Sequence, residues 1–193
     1  MRLACAVLAT LLLAALPPGA AAAREQALDP ARSHVGFEIR TRWGQRLHGE
    51  FARHSGAVTQ RPDGLRQVRL AIEAASVDIQ GHANYTRFAR GEGFFDAAEH
   101  PRIEFVSHPY EPGLLRDGGP MAGRLRLRGV EREAVFRIEP AGCERPALDC
   151  DVVASGSIDR IDFGMDRWRV AIRDEVRFRL RVRLAPARDG GGP

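Results

Sequence analysis

Between His82 and Arg90 the chain gathers side chains that could hold an anion: His82, Asn84, Tyr85, Arg87 and Arg90, with Phe94-Phe95 just beyond. A guanidinium presents a planar fork of donors that matches phosphate or carboxylate oxygens. Arg87 and Arg90 could therefore grip the polar head of a ligand whose body meets the aromatic pair. The competing reading is a solvated helix face. Bond-making chemistry finds less support. The histidines His34, His48, His54, His82, His100 and His108 are scattered, without the close spacing of a zinc site. Only convergence in space of His82, His100 and His108 would build a metal-dependent enzyme. No Gly-x-Ser-x-Gly elbow is present, and Ser155-Gly-Ser157 sits in an alternating segment with no histidine placed to activate it. Asp162 and Asp166 flank Phe163-Gly-Met165, a pattern of turns more than of acid pairs. Phosphate-cradling glycine loops are also missing.

The elements that would position the 82–90 cluster are strands. In Glu175–Leu184, Val176, Phe178, Leu180, Val182 and Leu184 alternate with Arg177, Arg179, Arg181 and Arg183, giving one apolar and one wet face. The same alternation runs through Ser33–Arg40, Gln67–Glu73, Arg102–Ser107, Arg124–Arg128, Ala134–Ile138 and Val152–Ile158, with turns such as Pro62-Asp63-Gly64 between them. About eight strands of this kind predict an all-β antiparallel barrel or sandwich. Residues 83–91 break the pattern: Tyr85, Phe88 and Ala89 share a helical face, and Gly91 ends it. A short helix and an aromatic plug laid across the mouth or flank of the barrel are expected there.

Met1-Arg2, the apolar run Leu3–Leu16, Pro17-Pro18-Gly19 and Ala20–Ala23 read as a signal peptide over 1–23, cut after Ala23. The expected layout is this leader, a barrel domain over 24–185 and a disordered Gly-rich tail over 186–193, in a secreted, periplasmic protein. Cys143 and Cys150 then remain as an isolated pair. Their Cys-x6-Cys spacing is not a redox motif, so a structural disulfide is expected, worth about 2–3 kcal/mol. The chain carries a formal net charge of +4 with no lysine at all. Export argues against nucleic acid as the target of the Arg stripes at 124–128 and 177–183. They read as solvent faces that keep the sheet soluble, with weak attraction to anionic membrane surfaces left open. The oligomeric state is open too, a homodimer included.

Several segments in order resemble the YceI-like family of polyisoprenoid-binding, lipocalin-like periplasmic proteins. They are Leu28-Asp-Pro-Ala-Arg-Ser-His-Val-Gly-Phe37, Gly49-Glu-Phe51, Gly93-Phe-Phe-Asp96 with His100-Pro101 and Ile103-Glu-Phe-Val-Ser107, Leu127-Arg-Gly-Val130, Asp162-Phe-Gly-Met165 and Asp174-Glu-Val176. The family's Arg-Asp…His-Leu pair before Phe-Phe-Asp is missing; Tyr85, Arg87 and Arg90 are the available stand-ins. The resemblance implies an eight-stranded antiparallel barrel that holds a polyisoprenoid or similar amphiphile, an isoprenoid quinone included, with no cofactor and no catalysis. Its apolar lining would be Val35, Phe37, Ile39, Phe51, Leu70, Ile72, Phe94, Phe95, Phe105, Phe136, Phe178 and Leu180. The competing reading is a dry core made of the same residues, as in a filled-barrel, stress-related structural protein.

Overall fold

A computed structural model describes residues 24–186; the leader and all but the first residue of the tail lie outside the described residues. The fold is one antiparallel sheet of eleven strand segments, β1 (Arg24–Ala27), β2 (His34–Thr41), β3 (Arg46–Phe51), β4 (His54–Gln60), β5 (Arg66–Glu73), β6 (Val77–Ile79), β7 (Arg102–Ser107), β8 (Gly119–Leu127), β9 (Val130–Ile138), β10 (Val152–Asp159) and β11 (Ile172–Val182). Two helices interrupt them, α1 (Ala83–Arg90) and α2 (Leu114–Asp117).

Six of the segments are three long ribbons, each broken once: β1 with β2, β3 with β4, and β5 with β6. β2 pairs with β3 while β1 pairs with β4. β4 pairs with β5 while β3 pairs with β6. The remaining strands follow in sequence order, β5–β7–β8–β9–β10–β11, and β11 returns to β2. A bridge between Leu28 and Leu184 extends that last seam to the first ribbon's other half. Eight ribbons thus close on themselves, and only the short end segments β1 and β6 pair on a single side. The extra segments relative to the expected eight are these breaks, and each has a local cause. At the first, Asp29 accepts from the N–H groups of Ala31 and Arg32, and the Ser33 hydroxyl accepts from the Arg183 N–H. At the other two, the buried Ser76 hydroxyl accepts from the Arg53 N–H and donates to the Glu73 carbonyl at 2.7 Å.

The alternating apolar positions face inward. Val35, Phe37, Ile39, Phe51, Leu70, Ile72, Phe105, Phe136, Phe178 and Leu180 are all buried. One chain of rings crosses the interior, Phe94–Phe95–Phe51–Phe37–Phe178–Phe136–Phe105, with successive centroids 5.1–6.4 Å apart. Glycine makes room for it. A Cβ on Gly49, which faces Phe37 across β2 and β3, would fall 2.2 Å from the Phe37 ring.

Candidate functional site: two apolar chambers in one barrel

The ring chain stands between two cavities that share no lining residue. The inner chamber, about 90 Å³, is walled by Val35, Leu70, Ile72, Phe105, Phe136, Phe178 and Leu180 among others. Tyr110 and Leu115 also line it, as does Ala147 from the loop between β9 and β10. The Cys143–Cys150 disulfide closes that loop, with 6.1 Å between the Cα atoms. The Arg183 side chain bonds Asp151 and the Leu148 carbonyl, and the Leu184 N–H bonds the Ala147 carbonyl, so the loop is tied across this end.

The outer chamber, about 200 Å³, is lined by Phe37, Ile39, Leu47, Phe94 and Ile172, and at its mouth by Trp43, Tyr85, Phe88 and Trp168. The last four are exposed, so the chamber meets water between them. α1 is pinned along the mouth by its buried side. Thr86 accepts from the Ile79 N–H at 2.8 Å and donates to Asp78. Arg90 donates twice to the Val77 carbonyl. Tyr85 and Phe88 are left facing outward.

Of the lining expected from sequence, Phe51 and Phe95 touch neither cavity and instead carry the ring chain between them. Of the polar set, Tyr85 alone lines a chamber. His82 lies against Tyr85, with ring centroids 5.0 Å apart. Asn84 and Arg87 are exposed, and Arg90 is committed to Val77. The three histidines do not converge: His108 pairs with Glu133 at 3.1 Å, His82 sits on Tyr85, and His100 lies beside Gly129. Among the described residues no three metal-ligating side chains come together.

Sequence reading missed Arg160, which is wholly buried. Its guanidinium donates to the carbonyls of Met165, Arg167 (2.7 Å), Arg173 (3.2 Å) and Ile172, and to Asp174 at 3.1 Å. Burial holds it below the ordinary guanidinium range, against the pull of Asp174. These bonds fix the loop that places Trp168 at the mouth. The Trp168 backbone is held at φ +66°, and its carbonyl accepts from the N–H groups of Ala171 and Ile172. Nothing in the neighbours of Arg160, Ile158-Asp159 and Ile161-Asp162, marks this arginine apart from the exposed ones.

A closed antiparallel barrel with apolar chambers and a helix at one mouth is a lipocalin-like architecture. The YceI-like domain family model matches residues 26–184, and the chain belongs to that family. It is similar to the crystal structure of Burkholderia cenocepacia BcnA, with a TM-score of 0.67 at 23% identity, over 82% of this chain and 99% of that one. A polyisoprenoid binding domain from Saccharophagus degradans implicated in plant cell wall breakdown follows with TM-score 0.60, 15% identity, and 82% and 98% covered. The Campylobacter jejuni YCEI protein gives TM-score 0.56, 21% identity, and 72% and 84% covered. At these identities the likeness is one of fold. No curated protein sequence matches the chain.

Proposed function

We propose that this protein is a periplasmic carrier that holds a polyisoprenoid or a similar long amphiphile, isoprenoid quinones included, inside the barrel. The observation that carries this reading is the divided interior: two cavities with hydrocarbon and aromatic walls on either side of a ring chain. Such walls bind by removing apolar area from water, at about 25 cal/mol per Å², with few directional contacts. A dry apolar cavity of about 150 Å³ already accepts a benzene-sized guest, and the outer chamber is larger. A long prenyl chain exceeds either chamber alone. It enters full length only when Phe37 and Phe178 swing aside and the chambers join. The Saccharophagus degradans relative, described as polyisoprenoid binding, supports the ligand class. The signal-like start and the Cys143–Cys150 bond support export to an oxidising compartment.

Native mass spectrometry of protein purified from its cell envelope tests the reading. A bound mass that extracts as a prenyl lipid is expected, together with uptake of a polyprenyl phosphate or quinone in vitro. A homogeneous ligand-free mass with no uptake of either would refute it. Phe37→Ala should favour long prenyl chains over short ones relative to the unaltered protein, because it removes the partition.

A further inference from the structure

The large apolar side chains that stand in water are concentrated at one place. Trp43 (69% exposed), Phe88 (54%), Trp168 (51%), Val170 (89%) and Tyr85 (40%) come from three separate segments around the outer mouth, and among the described residues only Val135 lies elsewhere. Scattered single hydrophobes need no explanation, but a contiguous rim around a cavity does. The segments are the turn between β2 and β3, α1, and the loop before β11. With the first residues of β3 and β11 they carry Arg42, Arg46, Arg87, Arg90, Arg167, Arg169 and Arg173 against Asp166 and Asp174. Glu92 and Asp174 offset Arg167 and Arg42, at 3.2 and 3.6 Å. Arg46, Arg87, Arg169 and Arg173 make no ion pair with a described residue. On the barrel wall Arg124, Arg177, Arg179 and Arg183 each face a carboxylate while Arg126 and Arg181 do not, so the rim is set apart by its exposed aromatic and aliphatic side chains and charge is the supporting feature.

Aromatic rings with a polar edge settle at the boundary between bilayer and water, and uncompensated arginines are drawn to anionic headgroups. We infer that this rim docks on an anionic lipid bilayer and seats the outer mouth against the leaflet. A lipid then passes between bilayer and barrel without crossing water. The inference rests on the carrier reading for its purpose, but docking itself needs no bound ligand.

Trp43 and Trp168 are the chain's two tryptophans, so intrinsic fluorescence reports on the rim directly. The protein is mixed with vesicles of phosphatidylcholine, alone or with phosphatidylglycerol, none containing an isoprenoid. A blue shift and co-flotation with the anionic vesicles, reversed by salt, are expected. The double variant Arg169→Glu, Val170→Asp should weaken that partition by about tenfold with an unchanged melting temperature, since both side chains are exposed. Arg124→Glu with Arg126→Glu on the wall should change it little. Absence of co-flotation, equal loss in the wall variant, or a blue shift without vesicles accompanied by a doubled mass would overturn the proposal. The doubled mass would mean that a second copy covers the rim. Prenyl binding without docking would sink this inference alone, and docking without prenyl binding would sink the carrier reading alone.

Discussion

Arg160 shows why side-chain type alone misleads at the level of single residues. In a chain this rich in arginine the default reading is a surface charge, yet this one has no contact with water. Its bonds to four carbonyls and to Asp174 become visible only once the loop is folded over it. Arg160→Ala leaves the four carbonyls without that donor and Asp174 with only Arg42, 3.6 Å away. A loss of about 3–5 kcal/mol is expected by chemical denaturation, with a red shift of Trp168 emission as its loop loosens. Tyr110 is the opposite case, a buried hydroxyl with no partner. Burial pushes it up to about 12, against about 10 in an unfolded chain. The unfolded chain therefore ionises first, and stability is unaffected by this group below about pH 10 and falls as pH rises from there through about 12. Tyr110→Phe should flatten the fall of melting temperature over that alkaline range. It should also raise stability at neutral pH by about 1 kcal/mol, because no orphaned hydroxyl remains.

Among the elements, the strands were legible because alternation repeats over six or more residues and burial enforces it. Glu175–Leu184 was read at the register in which it folds, with Val176, Phe178 and Leu180 inward. α1 was legible from Tyr85, Phe88 and Ala89, although Ala89 turns inward while the two aromatic rings face out. The breaks within the three long ribbons were not legible. Two of them depend on the Ser76 hydroxyl accepting from the Arg53 N–H and the first on the Ser33 hydroxyl accepting from the Arg183 N–H, meetings distant in sequence of which local pattern carries no trace. The partition between the chambers was hidden for the same reason. Phe37 and Phe178 read as lining, but their meeting across the seam of β2 and β11 is a tertiary fact. Gly49→Ala should push the Phe37 ring out of that seam, at a cost of about 1–3 kcal/mol, read as a lower denaturation midpoint. Replacing Cys143 and Cys150 by Ser should cost about 2–3 kcal/mol and leave the loop over the inner chamber the first region to exchange its amide protons.

For the molecule as a whole, acid is the expected route to unfolding. The Arg183 guanidinium holds Asp151 below its ordinary carboxylate value, and Arg40 does the same for Glu38. Stability from such groups is present above about pH 4 and declines as pH falls through their lowered folded values. Melting temperature should drop steadily below pH 4, and Asp151→Asn should start lower but fall less steeply. The seam that closes the barrel has a further consequence. Leu28 and Leu184 bridge, and the Gln26 side chain reaches the Ala185 carbonyl at 2.9 Å. The two ends of the described chain are therefore neighbours, on the side of the inner chamber and away from the aromatic rim. A short peptide could splice residue 186 to residue 24, and new termini could be cut at Asp63-Gly64 in the β4–β5 turn. Such a circular permutant would keep every ribbon beside its present neighbours.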